Sequence, residues 1–145
     1  MSEEKDLPAV LLALGGNPAD LPFWEGCREG RFLLHRCELC DRSYWPASRC
    51  VTHGDQAMRW VEGSGQGTLY TYTVMHHAYT PDMKGKTPYV VAVVKLDEGP
   101  FFHTGILDCD AAAVAIGMRL EATMTVHANG MTVPMFRPAG REHAA

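Results

Sequence analysis

The sequence has no long hydrophobic run: no stretch reaches 18 consecutive apolar residues, so none is recognisable as a membrane-spanning helix. The short apolar stretch at residues 9–14 has an acidic flank, and residues 15–18 after it offer no signal-peptide cleavage site. Cysteine is also scarce, and the odd number of five suits a reducing compartment better than a disulfide framework. We therefore expect a cytoplasmic protein with no membrane contact.

Positive charge is scarce as well, and the net charge is −4. Residues 28–60 carry six arginines against four acidic residues, whereas residues 61–145 carry six basic and eight acidic residues. Proteins that bind single-stranded nucleic acid combine a basic groove with exposed aromatic side chains. The charge pattern therefore favours a protein without a nucleic-acid partner.

The sequence also lacks a recognisable catalytic set. No Ser-His-Asp order, paired carboxylate site or phosphate-binding glycine loop stands out, and the glycine-rich residues 62–67 lack the Lys-Ser/Thr ending of a P-loop. Cys27 and Cys109 have no activating neighbours, and a buried structural cysteine is the ordinary outcome. The sequence therefore predicts a chain that is not catalytic alone. A stand-alone hydratase, which would depend on isolated histidines, stays open as an alternative.

What the sequence does contain is two pairs of metal-ligating residues. Cys37 and Cys40 are separated by two residues, nine residues follow, and Cys50 and His53 repeat the spacing. A two-residue gap turns both side chains toward one point, and three cysteines with one histidine suit a tetrahedral zinc ion. Four protein ligands leave no open position for substrate. The spacing therefore predicts a structural zinc site, on which the folding of a small ribbon depends.

Two other interpretations of these residues stay open. A Cys-x-x-Cys pair can be a redox dithiol, although this pair lacks the strand–helix–strand context of such sites. His53 could lie on the surface, in which case Cys27, His35 or Asp55 would supply the fourth ligand. The zinc interpretation is preferred because it uses both pairs at once.

The remaining pattern is mainly β. Asp20 is a plausible N-cap for a helix that runs through Arg28 and stops at Gly30, and residues 7–14 form a second short helical segment. The glycine-rich residues 62–67 then indicate a domain boundary. Five later segments alternate or are rich in Val, Thr and aromatic residues, with a short helix between the third and fourth. These strands are residues 68–75, 89–96, 101–107, 119–127 and 131–136, and the short helix is residues 110–116.

This order predicts N-terminal helices over residues 1–31, a small zinc ribbon over residues 32–62, and a five-stranded OB-type β-barrel with a C-terminal tail over residues 63–145. Several short motifs then show a resemblance beyond periodicity. They are Phe23-Trp24-Glu25-Gly26, Arg31-Phe32-Leu33-Leu34, Gly67-Thr68-Leu69-Tyr70-Thr71-Tyr72-Thr73-Val74, Pro88-Tyr89-Val90-Val91-Ala92, Ile116-Gly117-Met118 and Pro134-Met135-Phe136-Arg137-Pro138. With the ribbon, this set resembles the rubredoxin-like zinc-ribbon plus OB-fold proteins associated with acyl-CoA enzymes. The match covers about residues 21–139.

The resemblance implies an accessory subunit that assembles with a thiolase-like catalytic subunit and helps to bind or admit an acyl-CoA. The reaction would be carbon–carbon bond cleavage or formation on a 3-oxoacyl-CoA, as in an acyltransferase complex. The cofactors would be a structural Zn²⁺ and a coenzyme A thioester as ligand of the complex. An enoyl-CoA hydratase partner is the first alternative, and a nucleic-acid-binding zinc-ribbon/OB module is the second.

Five residues are candidates for contact with acyl-CoA or a partner. Trp24 either packs on the ribbon or anchors a partner, and His76 stands at a family position at the end of the first barrel strand. Lys84 and Lys86 lie in a loop where they would meet a phosphate or form a solvated tip. Arg137 would pair with a phosphate or an acidic partner surface. The sequence departs from the family pattern at two positions: His53 replaces a fourth cysteine, and His77 replaces an arginine.

Overall fold

The structure is a computed structural model that describes residues 6–140. Its contacts divide the chain into two compact units. The first unit holds the chain up to Ser64 together with Met124–Pro134, and the second holds Gly65–Thr123 together with the chain from Met135. The predicted three-part division at residues 31 and 62 stays a prediction.

The first unit begins with two short helices, α1 (Leu7–Ala13) and α2 (Leu21–Arg28), joined through a 3₁₀ turn at Pro18–Asp20. Leu7 and Leu11 lie one helical turn apart and form a buried cluster with Met131. A seven-residue helix is too short to be stable alone in water, so α1 depends on this packing. Within residues 6–140, no helix is long and apolar enough to cross a bilayer.

The predicted N-cap position at Asp20 is confirmed. Its side chain makes no capping hydrogen bond to α2, because its Oδ1 accepts the backbone N–H of Ala47 at 2.7 Å. The side-chain cap nearby is Asn17, whose Oδ1 accepts the N–H of Ala19 at 2.9 Å at the start of the 3₁₀ turn. The predicted stop is confirmed: α2 ends at Arg28, and Gly30 follows with φ 79°, a conformation that favours glycine.

After α2, the first unit continues with a small antiparallel sheet of β1 (Leu33–Cys37), β2 (Ser43–Tyr44) and β3 (Met58–Glu62), in the order β2-β1-β3. Phe23 of α2 is fully buried and packs its ring against an aromatic group around this sheet, with ring centroids 4.9–6.4 Å away. The group consists of Trp24, Phe32, Trp45 and Trp60. All three tryptophans of the chain therefore lie in the first unit.

The second half of the chain forms a closed five-stranded barrel, which confirms the predicted fold class. Its strands are β4 (Gln66–Met75), β5 (Tyr89–Leu96), β6 (Phe101–Ile106), β7 (Arg119–Val126) and β8 (Thr132–Pro138), in the order β4-β5-β6-β8-β7. Alternation along β5 places every second residue inside: Val90, Ala92, Val94 and Leu96 are buried.

Two details of the barrel depart from simple alternation. The helix predicted over residues 110–116 is only a 3₁₀ turn at Ala111–Ala113, because Val114 turns to an extended conformation and its side chain is buried. Gly67 lies so close to β5 that an added Cβ would be 2.6 Å from the backbone oxygen of Lys95. A glycine is therefore required there for strand packing and not for flexibility.

Candidate functional site

The first pair of candidate metal ligands is positioned by the end of β1. Cys37 is the last residue of this strand. Its N–H donates to the carbonyl oxygen of Arg42 at 2.9 Å, and its carbonyl oxygen accepts the N–H of Asp41 at 2.7 Å. Asp41 adopts φ 63°, which closes the turn and returns the chain to β2. Cys40 therefore lies in a tight knuckle beside Cys37, as the two-residue spacing predicts.

The second pair is positioned by an isolated β-bridge. The backbone groups of Cys50 and Gly54 exchange two hydrogen bonds of 2.9 Å, and Gly54 adopts φ 62°. This tight loop brings His53 back over Cys50. Both pairs thus come together beside the end of β1.

The four predicted ligands come together in one cluster. Their ligand atoms all lie within 4.8 Å of one another. The His53 Nδ1 atom lies 3.5 Å from Cys37 Sγ and 3.6 Å from Cys50 Sγ, and the Sγ atoms of Cys40 and Cys50 are 3.6 Å apart. Ordinary zinc–ligand bond lengths in a tetrahedron give about 3.6 Å between sulfur and nitrogen and about 3.8 Å between two sulfurs. The donor set and its spacing therefore fit a zinc ion.

Burial and hydrogen bonding differ among the cysteines. Cys37 and Cys50 are buried, whereas Cys40 is exposed. Desolvation by burial would raise the pKa of the Cys50 thiol, but hydrogen bonds from the backbone N–H groups of Thr52 and His53 and from the side chains of Tyr44 and His53 together lower the pKa to about 5. The lowered pKa favours the thiolate, the form that binds a metal.

The alternative fourth ligands lie elsewhere in the first unit. Nδ1 of His35 accepts the Ser48 N–H at 2.9 Å, and the ring stacks on Trp60 at 4.6 Å. Desolvation lowers the pKa of His35, which favours its neutral form. Cys27 is buried, which raises its thiol pKa to about 12, and Asp55 is exposed. Among residues 6–140, the cluster of candidate metal ligands contains none of His35, Cys27 and Asp55.

The candidate contact residues are more dispersed. Trp24 is half-buried, packs against the Leu7–Leu11 cluster and meets the Phe23 ring edge-on at 4.9 Å. His76 is exposed and follows the last residue of β4. No contact with acyl-CoA or a partner is tested for either residue, so these roles stay predictions.

The predicted basic residues have different surroundings. Lys84 and Lys86 are exposed in the loop after β4, and Lys86 lines a cavity of the second unit. Arg137 is half-buried on β8, and its guanidinium donates to Glu121 Oε2 from Nε at 3.1 Å and from Nη2 at 3.0 Å. Arg137 thus has an acidic partner within the chain, and its role toward a phosphate stays a prediction.

Sequence reasoning did not find the cavity that Lys86 lines. Its other walls include Gly105, Asp108, Cys109 and Met135, which are far apart in sequence and share no motif. Asp108 adopts a positive φ of 58°, which marks a specialised turn, but this conformation is visible only in the structure and gives no signal in the sequence.

A ribbon that clusters three cysteines and one histidine, followed by a closed five-stranded barrel, defines the class of zinc-ribbon and OB-fold proteins. Comparison with known proteins agrees: the family model described as "ChsH2, C-terminal OB-fold domain" matches residues 60–125. A "DUF35 domain-containing scaffold protein" of Methanocaldococcus jannaschii is 33% identical over 102 residues, which cover 68% of this chain and 72% of that protein. The chain belongs to the DUF35 family.

Two further relatives are named as parts of enzymes. A "probable enoyl-CoA hydratase alpha subunit" of Thermomonospora curvata is 34% identical over 132 residues, 88% of this chain but only 41% of that protein. A chain of the solved "Ltp2-ChsH2(DUF35) aldolase" superposes with a TM-score of 0.75 at 31% identity, covering 85% of this chain and 96% of that one. The chain thus spans about two fifths of the hydratase subunit and nearly all of the chain in the aldolase structure.

Proposed function

We propose that this protein is a non-catalytic accessory subunit that assembles with a catalytic enzyme of acyl-CoA metabolism. The similarity to a chain of a solved aldolase complex, 31% identical and covering 96% of that chain, is the observation that carries this proposal. The hydratase-subunit and scaffold names of the relatives support the same general role. The sequence itself supports it too, because it offers no recognisable catalytic set.

The four clustered residues would hold a structural zinc ion within this subunit. Bound zinc would cross-link the two knuckles without taking part in the reaction, since four protein ligands leave no open position. The ribbon sheet has one strand of only two residues and a small aromatic core around Phe23, so the metal would add a cross-link that so small a sheet needs. The ribbon would then be a rigid platform for assembly.

For the partner, we propose a thiolase-type enzyme that cleaves or forms a carbon–carbon bond of a 3-oxoacyl-CoA. An aldolase also works on carbon–carbon bonds, so the aldolase complex supports this choice. The catalytic subunit would supply the nucleophile and the oxyanion-stabilising donors. This chain would cover the entrance to the acyl-CoA site, excluding water and positioning the thioester. An enoyl-CoA hydratase partner is the alternative, which the Thermomonospora relative favours.

Co-expression tests both parts of the proposal. The tagged chain is expressed with a thiolase-type protein and, separately, with an enoyl-CoA hydratase from the same source. Each pair is purified through the tag and assayed for cleavage of a 3-oxoacyl-CoA and for hydration of an enoyl-CoA. We expect a stable complex with the thiolase-type protein, with cleavage activity that neither protein shows alone.

Two results would contradict the proposal. Turnover by the isolated chain would make it an enzyme, and two proteins that elute separately with full activity in the catalytic one would remove the accessory role. A hydratase complex would select the alternative partner. Salt-sensitive submicromolar binding of a single-stranded oligonucleotide would instead support the nucleic-acid alternative.

The N-terminal helices offer a variant for the same test. Leu12 is 72% exposed on α1, so we propose that it contacts the catalytic subunit. Leu12→Lys is then expected to weaken co-purification while leaving the fold intact. Val126→Lys is the matched control, because this apolar side chain is 74% exposed and lies outside the helices. Co-purification of Leu12→Lys at the wild-type level would exclude Leu12 from the interface.

A further inference from the structure

The three thiols of the metal cluster differ in their access to solvent. Cys37 and Cys50 are buried, whereas Cys40, at the end of the first knuckle (residues 37–40), is exposed. Its neighbour Leu39 is 58% exposed, so the surface of this knuckle is open. Oxidation of a cysteine follows its exposure and its thiolate character. A water-soluble oxidant therefore reaches Cys40 before the other two thiols of the cluster.

A second sulfur lies close to Cys40, on the other knuckle (residues 50–53). The Sγ atoms of Cys40 and Cys50 are 3.6 Å apart. An S–S bond is about 2.0 Å long, so the two atoms need to approach by about 1.6 Å to form one. Cys40 lies in a turn outside the strands and its side chain is exposed, so rotation of that side chain requires no change in the sheet.

Cys37 is the competing partner, because it shares the cluster and the Cys-x-x-Cys spacing with Cys40. It is fully buried at the end of β1, and its Sγ lies 3.5 Å from Nδ1 of His53. A disulfide between Cys37 and Cys40 would close within the first knuckle and leave the two knuckles unconnected. A disulfide between Cys40 and Cys50 would instead join the same two knuckles that a zinc ion joins.

We propose that Cys40 and Cys50 form a reversible oxidation site for a hydroperoxide, and that their disulfide releases zinc from the ribbon. The Cys40 sulfur attacks the terminal peroxide oxygen, the O–O bond breaks, and the other oxygen leaves as an alcohol or water after taking up a proton. The Cys50 thiolate then attacks the sulfur of the Cys40 sulfenic acid, so that the S–S bond forms and hydroxide leaves to become water. The two thiolates lose two electrons, and the peroxide gains them.

The disulfide removes two of the four ligands of the cluster. Cys37 and His53 remain, and two ligands do not complete the closed tetrahedral site of a structural zinc ion. Reduction by a dithiol restores both thiolates and with them the site. The inference rests on the zinc site proposed above, but it does not depend on assembly with a catalytic subunit.

Oxidation of the purified, zinc-loaded full chain with hydrogen peroxide tests the inference. Released zinc is followed with a chromogenic chelator, and free thiols are counted in Cys109→Ala, which removes the partly exposed thiol outside the cluster. We expect release of about one zinc ion per chain together with the loss of two thiols. Peptide mapping should find Cys40 joined to Cys50, and dithiothreitol followed by zinc should restore the metal content.

Two variants with complete ligand sets provide the decisive comparison. Cys40→His supplies two cysteines and two histidines, a set that also holds zinc, but it lacks the exposed thiol. It should bind about one zinc ion and release it in peroxide at least about tenfold more slowly than the wild type. The matched control is His53→Cys, which keeps both cysteines of the pair and should release zinc at a rate close to that of the wild type.

The possible failures are distinguishable. Retention of zinc in peroxide, a disulfide between Cys37 and Cys40, or equally fast release from Cys40→His and the wild type overturns the proposal. If Cys40→His binds no zinc, the disulfide map of the oxidised wild type decides. A wild-type chain that contains no zinc before oxidation overturns the zinc site itself, and the release step with it.

Discussion

Removing one buried ligand of the metal cluster should unfold the ribbon while the barrel stays folded. Cys37 is fully buried at the end of β1, and its Sγ lies 3.5 Å from Nδ1 of His53. Cys37→Ser leaves two thiolates and one imidazole, and it also places a hydroxyl in a buried position. We expect the variant to lose bound zinc and to lose the fold of the ribbon with it.

The magnitude follows from what zinc contributes to small domains. Zinc binding provides about 10–16 kcal/mol in zinc-finger peptides, which equals or exceeds the net stability of about 5–15 kcal/mol of a whole domain. The ribbon sheet contains only twelve residues in three strands and has the Phe23 aromatic group as its core. Loss of the metal is therefore expected to unfold the ribbon and not merely to loosen it.

The tryptophans report this change directly. Trp24, Trp45 and Trp60 lie in the first unit, and the chain has no other tryptophan. Their emission should shift to the red in Cys37→Ser, while the far-ultraviolet circular dichroism of the barrel strands persists. Elemental analysis should fall from about one zinc ion per chain in the wild type to near zero.

A second buried cysteine of the same unit is the control. Cys27→Ala removes a buried thiol outside the cluster, so it should keep its zinc and lose only about 1 kcal/mol of stability. His53→Cys provides a set of four cysteine ligands and should also retain the metal. Full zinc content in Cys37→Ser, or unchanged tryptophan emission in the zinc-free wild type, would refute the reasoning.

Three further predictions concern the barrel. Phe136→Ala, at a fully buried position, should cost about 3–5 kcal/mol of unfolding free energy in urea titrations, whereas Val126→Ala, at an exposed one, should cost almost nothing. Gly67→Ala should cost about 1–3 kcal/mol, because its Cβ would meet the backbone of β5. Hydrogen bonding from Arg119 lowers the pKa of Asp97, so its contribution to stability is present above an ordinary carboxyl pKa of about 4 and is lost as the pH falls below it. The difference in unfolding free energy between the wild type and Asp97→Asn should shrink as the pH falls through that range.

Each barrel prediction has a result that contradicts it. Equal urea-unfolding midpoints for Phe136→Ala and Val126→Ala would show that the barrel core is not where the structure places it. A neutral Gly67→Ala would mean that the two strands can separate without cost. A gap between wild type and Asp97→Asn that stays constant as the pH falls well below the ordinary carboxyl pKa would remove the ion pair with Arg119 as its cause.

The parts of the fold that local sequence predicts are those with a repeating spacing. Alternation along residues 68–75 predicts a strand, and the two-residue gaps of the Cys and His pairs predict two knuckles. The four ligands cluster because each knuckle is closed by its own turn, at Asp41 and at Gly54. Such local geometry can be inferred from residues that are near one another in the chain.

The features that sequence reasoning missed depend on contacts between distant residues. The carboxylate of Asp20 bonds to Ala47 instead of capping its own helix, because the ribbon offers a backbone N–H at 2.7 Å. The side chain of Met135 lies against Gly105 of β6, thirty residues away in the chain, and both residues line the cavity. In both contacts, the two residues lie far apart in the chain, and no sequence spacing or composition connects them.

The chain passes between its two compact units three times, after Ser64, after Thr123 and after Pro134. A cut at the glycine-rich segment therefore cannot yield two self-sufficient halves. The upstream fragment would lack Met131, which closes the apolar cluster formed by Leu7 and Leu11. The two pieces should instead behave as a complementing pair, each recovering its structure only when mixed with the other.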